Sequence, residues 1–116
     1  MNMQNFKWEK DADGIVTITW DMPGRSMNVV SSSSLKELGA WVAAVSKDVS
    51  IKGVVLTSGK STFCAGADLT EMEQSASATG DKSADPQARL KRGYDGVMGF
   101  HKILRTLETC GKPVVA

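Results

Sequence analysis

The chain has 116 residues, 41% of them hydrophobic and 23% charged, which is the make-up of one ordinary globular domain. Fourteen basic against thirteen acidic residues leave a net charge of +1, which argues against nucleic-acid or membrane-surface binding driven by bulk charge, so any anion site must be local. The two cysteines, Cys64 and Cys110, lie far apart with no Cys or His at ligand spacing, which argues against a disulfide framework and against a metal site. The opening MNMQNFKWEK lacks both the apolar core of a signal peptide and the Arg/Ser-rich character of a transit peptide. No apolar run approaches membrane-spanning length, and the expectation is a cytoplasmic protein with reduced thiols and no membrane insertion.

Phe6 and Trp8 alternate with polar neighbours, Asp13-Gly14 is a hairpin signal, and Ile15 to Trp20 alternates again, so the chain opens on a β-hairpin. Met22-Pro23-Gly24 stops the second strand and leads into the loop Arg25 to Val30. Four serines then introduce a helix, with Ser34 and Glu37 at capping-box spacing and Leu35, Leu38, Val42, Val45 and Val49 forming an apolar stripe. Ile51 to Ser58 contains Val54-Val55-Leu56 without alternation, the pattern of a strand buried on both faces. A short helix is predicted over Leu69 to Glu73. The small and polar stretch from Gln74 to Gln87 reads as a flexible insertion within the domain. Ala88 to Thr109 reads as a long helix with Leu90, Tyr94, Val97, Leu104 and Leu107 broadly on one side. Val114-Val115-Ala116 then begins a further strand.

Three segments invite a functional reading. Gly59-Lys60-Ser61 ends like a phosphate-binding P-loop, but the spacing to Gly53 is wrong and four of the intervening residues belong to the apolar strand, so it reads as a strand-ending turn. Cys64 and His101, the lone histidine, could in principle form a nucleophile and base, yet nothing in the spacing brings them together. Phe63-Cys64-Ala65-Gly66-Ala67-Asp68-Leu69 is more specific. Small residues allow close approach to the backbone, Gly66 can take angles closed to other residues, and Asp68 can cap the following helix with Glu71 three positions on. Backbone N–H groups fixed at a helix N-terminus stabilise a developing negative oxygen, but a plain helix start after a tight turn needs the same capping residues, so the residues by themselves leave both readings open.

The segment STFCAGADLTEM resembles the stretch of the crotonase (enoyl-CoA hydratase/isomerase) family around its first oxyanion-hole amide, and KPVVA resembles the start of the strand leading to the second. The hairpin, the loop RSMNVV, the helix and the strand IKGVVLTSG are similar to that family in the same order. The insertion and the run FHKILRTLETCGKPVVA most resemble the hydratase half of the multifunctional fatty-acid oxidation proteins.

The resemblance implies an α/β fold of ββα units, incomplete at its C-terminus, and hydration of 2-enoyl-CoA in fatty-acid β-oxidation. It implies that the Ala67 N–H is the oxyanion donor and that Ala65 and Gly66 line the adenine and pantetheine path. Asp68 would support the helix start, Ser26 and Met27 would offer backbone to coenzyme A, and Arg25 would lie near its phosphates. The water-activating glutamates of the family follow the strand that starts at Pro113, so Glu71 and Glu73 are read as surface carboxylates and residues 1–116 alone are expected to be inactive. The substrate would be an acyl-CoA thioester with no permanently bound cofactor, NAD entering only with a fused dehydrogenase, in a homo-oligomer or multifunctional complex. Isomerisation, hydrolysis or decarboxylation by the same hole, and a non-catalytic acyl-CoA-binding or assembly module, stay open as alternatives.

Overall fold

The computed structural model describes residues 2–78 and 85–116. Strands β1 (Phe6–Lys10) and β2 (Ile15–Trp20) form the expected hairpin, followed by helix α1 (Ser32–Lys47), strand β3 (Gly53–Ser58), helices α2 (Leu69–Ala78) and α3 (Pro86–Glu108) and the short strand β4 (Val114–Val115). The sheet has the order β1-β2-β3-β4, antiparallel in its first pair and parallel in the other two. The hairpin turn requires its glycine: Gly14 has φ +83, and a Cβ there would stand 2.5 Å from the Ser50 carbonyl oxygen. Asp11 completes the turn, its carboxylate accepting from the N–H groups of Asp13 and Ile15.

Alternation in β2 puts Val16, Ile18 and Trp20 on the covered face, where Phe6, Trp41, Val42, Val45, Ile51, Val54 and Leu107 join them in one core. Phe6 stacks on Trp20 at 5.2 Å and meets Trp41 edge-on at 6.2 Å. No helix among the described residues is long and apolar enough to cross a membrane.

The structure differs from the sequence reading in five places. The capping box of α1 is Ser31 with Ser34, one turn earlier than Ser34 with Glu37, because three of the four serines already have helical geometry. Glu37 instead accepts from the backbone N–H groups of Gln4 and Asn5, at 2.9 and 2.8 Å, and ties the N-terminal segment to the helix. Val49 lies beyond the end of α1 and is exposed; Trp41 takes its expected share of the core. Strand β3 alternates after all, with Val54 buried and Val55 exposed, since only one face of it is covered among the described residues. Helix α2 continues past Glu73 to Ala78 and α3 begins at Pro86, capped by Asp85, so that the predicted insertion shrinks from both ends; its centre, 79–84, lies outside the described residues. Finally, α3 docks through Ile103 and Leu107, while Leu90, Tyr94, Val97 and Leu104 are exposed, since nothing covers them among the described residues.

Candidate functional site

Two loops meet where β2 and β3 end. Residues 28–30 and 65–68 run side by side as a short parallel pairing: Ala65 donates to the Asn28 carbonyl at 2.9 Å, Val30 donates to the Gly66 carbonyl at 2.8 Å, and Asp68 donates to the Val30 carbonyl at 2.9 Å. In a parallel pairing, the residue between two such bonds turns its own N–H and C=O to the other side. That residue is Ala67. It is exposed, and its N–H has no hydrogen-bond partner among the described residues. The chain can turn this way because Gly66 has φ +105, a left-handed conformation that costs other residues energy.

Helix α2 starts directly behind this amide. Asp68 caps it, its Oδ1 accepting from Thr70 and Glu71 at 2.9 and 3.3 Å, and the helix dipole adds partial positive charge at the same place. The other carboxylate oxygen accepts from Arg25 Nη2 at 2.8 Å, a pair in which Asp68 is buried and Arg25 half exposed. One guanidinium N–H is thereby committed, and Arg25 holds the loop containing Ser26 and Met27 against the helix start. Ser26 and Met27 are exposed beside it. Glu71 reaches across to α1, where its carboxylate accepts from the Ser32 N–H at 2.8 Å and hydroxyl at 3.0 Å, so that it caps a second helix as well as standing on the surface.

Burial works to raise the Asp68 pKa, but the N–H of Glu71, the Arg25 guanidinium and the N–H of Thr70 stabilise the charged form by more, and the carboxyl is held below its ordinary range. A folded pKa lower than the unfolded one contributes stability that is complete above the unfolded value and disappears as pH falls through the folded one. Asp68→Asn, which keeps an acceptor for the helix but offers Arg25 no charge, is therefore expected to flatten the loss of stability below about pH 4. Urea midpoints of both proteins across that range check it; parallel curves would contradict it.

The other sequence candidates are not assembled into a site among the described residues. Lys60 of the apparent P-loop pairs with Asp21 at 2.9 Å, and a Cβ at Gly59 would meet Asp21 at 2.8 Å, so this is the strand-ending turn that the spacing indicated. The Lys7 and Lys60 ammonium groups pull the Asp21 carboxyl down to about 2. Cys64 Sγ accepts from the Gly66 N–H at 3.4 Å, and no hydrogen bond joins it to His101 among the described residues. With Phe63, Cys64 lines an apolar cavity of about 210 Å³, and Phe63 meets Trp20 edge-on at 6.1 Å.

Sequence reasoning passed over Asn28. Its side chain is fully buried: Oδ1 accepts from the Met22 N–H at 3.1 Å, and Nδ2 donates to the Trp20 carbonyl, the Ser58 hydroxyl and the Phe63 carbonyl at 2.8, 3.0 and 3.2 Å. The available signal was a lone amide flanked by Met27, Val29 and Val30, since a polar residue inside an apolar run must be satisfied if it is buried.

The family model described as "Enoyl-CoA hydratase/isomerase" matches residues 10–116. The fatty acid oxidation complex subunit alpha of Acinetobacter baumannii (strain AYE) is 38% identical over 105 residues, which is 90% of this chain and 13% of that protein. The subunit of the same name from Pseudomonas aeruginosa (strain LESB58) is 48% identical over 103 residues, 89% of this chain and again 13% of the relative. This chain thus spans only a small part of the curated relatives it matches. The crystal structure of an enoyl-CoA hydratase/isomerase from Marinobacter aquaeolei has the same fold, with a TM-score of 0.74 at 24% identity over 95% of this chain and 39% of that one. With a match running from the end of β1 to the last residue, this chain belongs to the enoyl-CoA hydratase/isomerase family, the crotonases.

Proposed function

We propose that the protein hydrates 2-enoyl-CoA thioesters in fatty-acid oxidation, and that the Ala67 N–H is one of the donors that hold the thioester oxygen as it becomes an enolate. The observation that carries this is the Ala67 amide itself: exposed, unpaired among the described residues, held between two backbone bonds and backed by a helix N-terminus. A donor arranged before the reaction stabilises developing charge without reorganising, which lowers the barrier instead of merely tightening binding. The names of the relatives support the fatty-acid oxidation setting.

In this reading Ala65 and Gly66 line the adenine and pantetheine path, and the exposed Ser26 and Met27 offer backbone to coenzyme A. Asp68 keeps the helix start in place, and Arg25, with donors left beyond its bond to Asp68, stands near the phosphates. The protein would act in the cytoplasm, in a homo-oligomer or a multifunctional complex, with NAD belonging to a fused dehydrogenase and not to this domain. Isomerisation, the other activity in the family's description, uses the same donor and is told apart by its product. Incubating the full-length protein with crotonyl-CoA is expected to give 3-hydroxybutyryl-CoA with loss of the conjugated thioester absorbance. A folded full-length protein that hydrates neither crotonyl-CoA nor longer 2-enoyl-CoA thioesters would contradict the proposal.

A further inference from the structure

We infer that Asn28 is the positioning residue of the Ala67 amide: it ties the ends of both central parallel strands to the loop that presents the donor. The inference rests on the function proposed above for Ala67, and on geometry that is independent of that function.

The side chain of Asn28 joins three parts of the fold. The Trp20 carbonyl closes β2, the Ser58 hydroxyl closes β3, and the Phe63 carbonyl belongs to the oxyanion loop. Its backbone carbonyl then takes the Ala65 N–H. One residue therefore grips the loop on both sides of Cys64, and Val30, two positions on, grips it on both sides of Ala67. The amide nitrogen has only two hydrogens for three acceptors, so it sits between them and follows none alone. A shift of Phe63 relative to the sheet moves Ala65, and through the pairing with residues 28–30 it moves Ala67. The second attachment runs through Ser58, whose hydroxyl also donates to the Thr62 carbonyl at 2.7 Å and accepts from the Lys60 N–H at 2.9 Å, fixing the turn that leads into the loop. Oxyanion donors must be held within about 0.5 Å of the productive position. A buried, fully bonded side chain rooted in two strands provides that, whereas a loop held by its own backbone alone would not.

The test compares Asn28→Ala with Val42→Ala, which empties a core position on α1 that makes none of the loop's hydrogen bonds. In the full-length protein, Asn28→Ala is expected to speed hydrogen–deuterium exchange in the peptide 63–68 by about tenfold relative to the rest of the domain. It is expected to lower kcat by about a hundredfold with KM for crotonyl-CoA little changed. Val42→Ala should raise exchange across the whole domain together and leave kcat as it was at temperatures where it is folded. If Asn28→Ala is not recovered folded, Ser58→Ala removes one of the three acceptors and should move the same two readouts in the same direction by less. Exchange at 63–68 that changes only in step with the domain, as in Val42→Ala, or an unchanged kcat, would overturn the inference. A wild-type protein without turnover would remove the proposed function while local exchange at 63–68 still decides the role of Asn28.

Discussion

Replacing Ala67 with proline is expected to reduce kcat for 2-enoyl-CoA hydration by about a hundred- to a thousand-fold, the loss that follows removal of one oxyanion donor. Proline takes away the N–H and leaves the carbonyl. The bonds that shape this part of the loop are made by its neighbours, Gly66 through its carbonyl and Asp68 through its N–H, so the deleted N–H supports no other contact among the described residues. Gly66, at φ +105, also lacks the Cβ that a following proline would crowd. Stability should therefore change little while turnover collapses. Ala67→Ser keeps the N–H and should retain most of the activity. Steady-state kinetics beside circular dichroism check both variants, and a folded Ala67→Pro protein with ordinary turnover would remove Ala67 from the mechanism.

Trp41→Ala is expected to cost about 3–5 kcal/mol of stability, the largest effect of any single core change here. Trp41 is completely buried in α1 and meets Phe6 of β1 edge-on, so truncating it opens a cavity between helix and sheet that neither can fill by a small shift. Native domains hold only about 5–15 kcal/mol in total, so such a loss puts much of the population at risk of unfolding. Trp41→Phe should cost much less: it keeps most of the ring and removes an indole N–H that has no hydrogen-bond partner among the described residues. Urea denaturation with an unchanged slope and a lowered midpoint would confirm the order Ala worse than Phe. Equal costs would show that packing around Trp41 is not what holds α1 to the sheet.

Local patterns made much of this fold legible. Alternation identified the hairpin, Asp13-Gly14 its turn, helical spacing placed Val42 and Val45 inward, and Pro113 marked the start of β4. The region from Phe63 to Asp68 was legible as a tight turn into a capped helix, and the resemblance of STFCAGADLTEM to the crotonase family, not local physics, singled out its amide. What stayed hidden depends on partners distant in sequence. Glu37 looked like half of a capping box, but its partners are Gln4 and Asn5, more than thirty residues away. Glu71 caps the start of α1 across a similar separation. Asn28 meets Ser58 and Phe63 in the same way, and no periodicity within residues 25–30 reveals it. The one-sided burial of β3 and the partial docking of α3 escape local pattern for a related reason: an apolar run records that a side chain can be buried, not which neighbour covers it.

In the proposed function the Ala67 N–H receives the thioester oxygen. A crystal structure of the full-length protein with a slowly reacting acyl-CoA thioester tests it most directly. The thioester oxygen is expected about 2.7–3.1 Å from the Ala67 nitrogen, with residues 28–30 still paired to 65–68. A bound thioester whose oxygen lies elsewhere, with the Ala67 N–H left to solvent, would contradict it.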